Sequence, residues 1–60
     1  MSSIEPGDWF VGKANPNAYL EIIGVTTEDG VDHVDVRVGR VELQISKRYL
    51  LANWHHLEEA

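Results

Sequence analysis

Apolar and polar residues alternate along the middle of the chain, on both sides of the dipeptide Gly39-Arg40. The apolar members are Val34, Val36 and Val38 before the dipeptide and Val41, Leu43 and Ile45 after it. A period of two is typical of a β-strand with one buried face, and a two-residue connection with glycine first favours a type II′ hairpin turn. The pattern therefore predicts a β-hairpin with an apolar inward face.

The short loop also predicts the register of this hairpin. Val36 then lies opposite Leu43 on the inward face, and Arg37 lies opposite Glu42 on the outward face. Because a shift of one residue would move every apolar side chain to the other face, only this register keeps the pattern intact. Pairing across the preceding connection extends the outward row to Glu21, which gives a Glu–Arg–Glu ladder.

The preceding strand, over residues 19–27, is interrupted by Gly24. We expect a three-residue connection, Glu28-Asp29-Gly30, with glycine in the left-handed conformation. In the resulting register Ile23 and Val25 face outward, unless Gly24 marks a β-bulge that returns Val25 to the core. Without that bulge, the two side chains form an exposed apolar spot.

The rest of the chain completes a small all-β pattern. It consists of a lead over residues 1–7, a first strand over 8–13, a helical or 3₁₀ turn over 46–52 and a last strand over 53–58. Four strands, one short helical turn and a strand that returns to the first are the order of a five-stranded SH3-like barrel. The predicted fold class is therefore a single SH3-like β-barrel domain over residues 1–60.

Composition narrows the function further. Ten acidic and five basic residues give a formal charge of −5, which disfavours general binding to phosphate backbones. The chain has no cysteine, so a disulfide or a thiolate zinc site is excluded. No apolar run is long enough for a membrane span and no signal peptide is visible, so we expect a cytoplasmic protein.

Several short motifs follow one another in an order known from other small proteins. They are Pro6-Gly7-Asp8-Trp9, Glu21-Ile22-Ile23-Gly24-Val25, Ile45-Ser46, Leu50-Leu51 and Trp54. The pattern spans nearly the whole chain and resembles short phage and prophage proteins with SH3-like folds. The resemblance implies an SH3-like barrel, a phage origin and a place in the host cytoplasm, and it transfers no catalytic or binding residue.

The residues that could carry catalysis or hold a metal lack the required arrangements. There is no nucleophile elbow and no phosphate-binding glycine loop, so we predict neither an enzyme nor a cofactor. Adjacent residues on a strand face opposite sides, so His55 and His56 cannot readily share an ion, and we predict no metal site. The acidic residues near Asp29 lack the EF-hand spacing. They are interpreted as a solvated loop, and mimicry of nucleic-acid phosphates stays open as the alternative.

The remaining candidates suggest binding to another protein. Trp9 and Phe10 are neighbours on one strand, so one of them is expected outside the core. The protein-binding candidates are Trp9, Phe10, Ile23, Val25, Asp29 and Asp32. Two alternatives stay open: a nucleic-acid-associated protein that uses Arg40, Lys47 and Arg48, and a homo-oligomeric structural protein in which Ile23, Val25 or an exposed first strand pairs with its copy.

Overall fold

A computed structural model describes residues 4–57, which form one antiparallel five-stranded sheet and one short helix. The elements are β1 (Trp9–Gly12), β2 (Tyr19–Glu28), β3 (Val31–Val38), β4 (Val41–Ser46), α1 (Lys47–Asn53) and β5 (Trp54–Leu57). The strand order is β4-β3-β2-β1-β5. The fold is therefore a small all-β domain with a helical segment before the last strand, as the sequence pattern predicts.

The return of the last strand to the first is confirmed, but the sheet does not close. β5 pairs with β1, and Trp9 lies opposite Leu57 while Phe10 lies opposite His56. β4 and β5 stand at the two ends of the strand order, and within residues 4–57 no pairing joins them. The sheet is thus open, and β2, its middle strand, is also its longest.

The β3–β4 hairpin has the predicted register. Val36 lies opposite Leu43 and Arg37 lies opposite Glu42. Gly39 has φ +62°, and the following Arg40 is outside the left-handed region, as a type II′ turn requires. The inward face differs from the expectation at two residues of β4, because Val41 remains 61% exposed and Leu43 remains 43% exposed. β4 lies at the edge of the sheet, where the core extends under β3 but not fully under its neighbour.

The β2–β3 connection is one residue shorter than expected. Asp29 (φ +51°) and Gly30 (φ +77°) are both left-handed and form a two-residue type I′ turn, which matches the twist of the flanking strands. The predicted three-residue loop is therefore wrong. An extra residue at Ile23 compensates for it, because the register shifts between Ile22 and Gly24 and restores the predicted pairing of Glu21 with Arg37.

This shift is the β-bulge that Gly24 indicates in the sequence. A Cβ atom on Gly24 would lie 3.2 Å from Asp35 Oδ2, which explains why a glycine suits this position. The bulge places Val25 opposite the buried Val34, on the inner face. Of the two alternatives, the bulge is present, but it returns Val25 to the inner face without burying it, because Val25 is 44% exposed; Ile23 is 37% exposed.

The core is small and lies on the inner face of the sheet. Its fully buried side chains are Phe10, Leu20, Ile22, Val34, Val36 and Leu50. Four partly buried residues pack around them: Ile4, Val38, Ile45 and Trp54. One of the six, Leu50, comes from α1, so the helix contributes a single fully buried side chain to the core.

The helix begins where the sequence predicts. Ser46 is extended (φ −72°, ψ 149°), and its Oγ accepts a hydrogen bond from the backbone N–H of Tyr49 at 3.1 Å. This bond satisfies one of the amide groups that the first helical turn leaves without a partner. The helix is longer than one turn and ends at Asn53, because Trp54 returns to an extended conformation.

The N-cap bond leads to a stability prediction. We expect Ser46→Ala to lower the free energy of unfolding by about 1 kcal/mol, since the amide of Tyr49 loses its acceptor. Ser46→Asn restores a side-chain acceptor and should recover most of the loss. Urea denaturation followed by circular dichroism measures both variants, and equal losses for alanine and asparagine would contradict a capping role.

Candidate interaction surface

The outer face of the sheet carries one continuous row of side chains that crosses all five strands. From β5 to β4 the row consists of Leu57, Trp9, Glu21, Arg37 and Glu42. Directly opposed residues on neighbouring strands have Cβ atoms about 4.5–5.5 Å apart, so each side chain is within reach of the next. The row is apolar on β5 and β1 and charged on β2, β3 and β4.

The charged half is the ladder that the sequence predicts. Arg37 donates from Nη1 to Glu21 Oε1 and from Nη2 to Glu42 Oε2, both at 3.4 Å. The three side chains are 32% to 64% exposed, and ion pairs in such positions contribute about 0–1 kcal/mol each. The ladder therefore favours one strand register more than it stabilises the fold.

The apolar half forms the most prominent aromatic surface of the described chain. Trp9 and Leu57 are 47% and 45% exposed. Two residues further along β1, on the same face as Trp9, Val11 lies opposite Tyr19, which is 52% exposed. We call Trp9, Val11, Tyr19 and Leu57 the outer patch. Of its members, the sequence analysis named Trp9 alone. The alternation of Tyr19 and Glu21 with buried Leu20 is the signal that could have added Tyr19.

Phe10 does not belong to this surface, and its place among the protein-binding candidates is corrected. Its side chain is fully buried, because neighbouring residues on β1 face opposite sides and Trp9 takes the outer one. The Phe10 ring stacks on His56, with ring centroids 4.6 Å apart and an angle of 9° between the planes. His56 Nε2 lies 3.1 Å from Asp8 Oδ2, which places the imidazole between the core and a carboxylate.

The other protein-binding candidates are not gathered at the outer patch. Asp29 and Asp32 lie at the β2–β3 turn, where Asp32 Oδ1 accepts a hydrogen bond from Thr27 Oγ1 at 2.8 Å. This turn is about 20 Å along β2 from the row that contains Trp9. Val25 lies on the inner face, opposite Val34. Ile23 lines a shallow open hollow at the bulge, together with residues of β3 and β4.

The three basic candidates are also separated. Arg40 lies in the β3–β4 turn, whereas Lys47 and Arg48 begin α1 at the opposite end of β4. A strand of this length separates the two groups by about 20 Å. Lys47 and Arg48 also line an open hollow whose lining includes Asp32. The arrangement gives no continuous basic face.

The three histidines lie in different environments. His55 is exposed opposite Val11, while His56 is half-buried against Phe10, so the two neighbours face opposite sides as expected. Nδ1 of His33 is buried without a hydrogen-bond partner. Across residues 4–57, no three side chains of histidine, aspartate or glutamate come together as metal ligands would.

The comparisons with known proteins do not assign the chain to a family. Comparison with protein-family models, with curated proteins and with solved structures found no match.

In the described part of the chain, no helix has the length and apolar character needed to cross a membrane. The functional interpretation therefore depends on the surfaces themselves.

Proposed function

We propose that the chain is a non-enzymatic protein-interaction module that docks on another protein through the outer patch. The observation that supports this most directly is the placement of Trp9, Tyr19 and Leu57, each about half exposed, on neighbouring strands of one sheet. Tryptophan and tyrosine dominate the energetics of protein interfaces because they bury a large area with few rotatable bonds. Strands hold them in place, so little conformational freedom is lost on binding.

The charge distribution suggests the chemistry of the partner. The chain carries a formal charge of −5, and Glu21 directly adjoins Trp9 in the outer row. A protein with a net negative charge associates faster with a surface of opposite charge. We therefore propose a partner protein with an apolar centre and a basic rim. Its association rate should fall as salt is added, while its dissociation rate changes less.

The proposal extends to the fold type and the biological setting. An SH3-like arrangement is supported by the strand order, by the bulge in the long β2 and by the return of β5 to β1. In the phage setting that the sequence resemblance suggests, the chain would be an accessory or inhibitor protein and its partner a host protein. The separation of Arg40 from Lys47 and Arg48 does not favour nucleic acid as the partner.

Trp9→Lys is the variant that tests the docking surface. We expect it to abolish capture of a stoichiometric protein partner from nuclease-treated bacterial lysate, with affinity for the purified partner reduced at least about 30-fold, because a central aromatic contributes about 2 kcal/mol or more. Capture followed by mass spectrometry, and then titration calorimetry with the purified partner, measures this loss.

The matched control is Leu51→Lys, because Leu51 is as exposed as Trp9, at 48%, but lies on α1. It should bind as the unmodified chain does, and circular dichroism should show that both variants are folded. Equal binding by Trp9→Lys and the unmodified chain would disprove docking through the outer patch. Recovery of material from untreated lysate only, with nothing captured after nuclease treatment, would favour the nucleic-acid alternative instead.

A further inference from the structure

The outer edge of β4 is a strand edge without a neighbour in the described part of the chain. β4 pairs with β3 on one side and stands at the end of the sheet order. In a hairpin with a two-residue turn, the residues that flank the turn exchange hydrogen bonds, so Val41, Leu43 and Ile45 direct their backbone groups toward β3. The N–H and C=O groups of Glu42 and Gln44 therefore point away from the sheet.

This edge lacks three of the features that normally prevent strand pairing, namely proline, lysine and a β-bulge, and its one charged residue is Glu42. Its sequence, Val-Glu-Leu-Gln-Ile-Ser, contains neither proline nor lysine, and its register with β3 runs without a bulge from Val41 to Ser46. Its inner face is also unusually apolar for an edge, because Val41 and Leu43 are 61% and 43% exposed. Edges of this kind readily accept a further strand.

We propose that this edge pairs with the β4 strand of a second copy of the chain, antiparallel about a two-fold axis at Leu43. Leu43 then meets the partner's Leu43, and Val41 meets the partner's Ile45. On the outer face, Glu42 meets the partner's Gln44. The Val-Glu-Leu-Gln-Ile pattern is symmetric about its centre, so every apolar residue finds an apolar one. This symmetry is what a self-complementary interface between identical chains requires.

Polar complementarity supports the same register. The Gln44 amide already donates one hydrogen, from Nε2 to Asp35 Oδ1 at 3.3 Å. The second hydrogen of this amide is not used in that bond, and it can be donated to the partner's Glu42. Glu42 uses Oε2 for Arg37, which leaves Oε1 as an acceptor. The outer row of one copy would thereby continue into the other copy.

Other registers are less favourable. A shift of the partner strand by one residue would place apolar side chains opposite polar ones on both faces. An axis at Glu42 would bring two carboxylates together. An axis at Gln44 would leave Val41, the most exposed apolar residue of β4, opposite the start of the partner's helix. The axis at Leu43 avoids all three penalties.

The dimer uses a different surface from the proposed function. β4 and β5 lie at opposite ends of the sheet, so pairing at β4 leaves the outer patch uncovered. Because the two-fold axis is perpendicular to the joined sheet, both outer patches face the same side. Two linked patches can bind a partner with two sites more tightly than one patch does.

The first test is the oligomeric state of the unmodified chain and of two lysine variants. Analytical ultracentrifugation should show a concentration-dependent dimer, which Leu43→Lys converts to a monomer. Val31→Lys, at a residue 51% exposed at the start of β3, should remain dimeric. Trp9→Lys should also remain dimeric, so that failure of this proposal and failure of the docking proposal can be told apart. Circular dichroism should show that all three variants are folded.

The second test examines the register. Gln44→Lys should tighten the dimer and Gln44→Glu should weaken it, each by roughly 2- to 30-fold in Kd. The reason is that the dimer contains two symmetric pairs of residue 44 with Glu42, which lysine makes attractive and glutamate makes repulsive. Because the chain has no cysteine, Leu43→Cys introduces a single thiol at the axis. Opposed Cα atoms there are about 4.5 Å apart, which permits a disulfide between the copies.

Three results would overturn the proposal. The unmodified chain could stay monomeric up to about 1 mM, which would mean that a strand of another protein or nothing occupies the edge. Val31→Lys could dissociate the dimer while Leu43→Lys does not. Finally, Gln44→Cys could cross-link faster than Leu43→Cys, which would place the axis at Gln44 and disprove the proposed register.

Discussion

Replacing Val36 by aspartate is expected to unfold the domain. Val36 is 1% exposed on β3, with Ile22 opposite on one side and Leu43 on the other. A carboxylate at this position would have no partner among apolar neighbours, and burying it costs several kcal/mol. Small domains have a total stability of about 5–15 kcal/mol, and one of 60 residues lies toward the lower end. Far-UV circular dichroism and urea titration would show loss of the cooperative transition.

Gln44→Asp is the matched control for this substitution. Gln44 lies on the exposed outer face of β4, opposite Asp35, so the same new charge is introduced into solvent. We expect the free energy of unfolding to change by less than about 1 kcal/mol, because the costs are repulsion from Asp35 and loss of the exposed hydrogen bond from Gln44 Nε2 to Asp35 Oδ1. A folded and cooperative Val36→Asp variant would show that the inner face has been assigned wrongly.

The second large effect is expected at Leu50. Leu50→Ala should lower the free energy of unfolding by about 2–5 kcal/mol, because it removes buried methyl groups and leaves a cavity under α1. Leu50 is the one residue of the helix that is fully buried, so removing most of its side chain also weakens the attachment of the helix to the sheet. Urea denaturation monitored by circular dichroism, together with tryptophan fluorescence, would measure both consequences.

The neighbouring residue supplies a control with the same side chain. Leu51 is 48% exposed, so Leu51→Ala should cost less than about 1 kcal/mol. Both substitutions replace leucine by alanine in the same helix, so helix propensity is the same in both and only burial differs. Similar losses for the two variants would contradict the burial of Leu50 beneath the sheet.

The β3–β4 hairpin shows how far local pattern predicts structure here. Strict alternation on both sides of Gly39-Arg40 allows one register, and the structure has it. The β2–β3 connection shows the limit of the method. Glycine at position 30 is compatible with two- and three-residue turns, and the choice depends on the bulge at Ile23, which adds the residue that the turn omits. Two local features compensated for each other, and the pairing of Glu21 with Arg37 is therefore predicted correctly.

The outer patch could be predicted only in part. Alternation along β1 indicates that Trp9 and Phe10 face opposite sides, but it does not say which one is buried. That choice depends on which face the helix and the valines of β3 cover. The sequence analysis did not place Tyr19 and Leu57 beside Trp9. Alternation along β2 signals that Tyr19 faces outward, but its position beside β1, like that of Leu57, follows from the pairing of β1 with β2 and β5.

The sequence by itself determined the strands, the type II′ turn, the helix start at Ser46 and the charged ladder, because each depends on residues close together along the chain or on adjacent strands joined by short turns. Tertiary structure alone decided that the sheet stays open and that Val41 and Leu43 remain exposed on β4. It also decided that Trp9 faces outward. Burial depends on which distant segments pack over a face, and residue order along one strand carries no information about that packing.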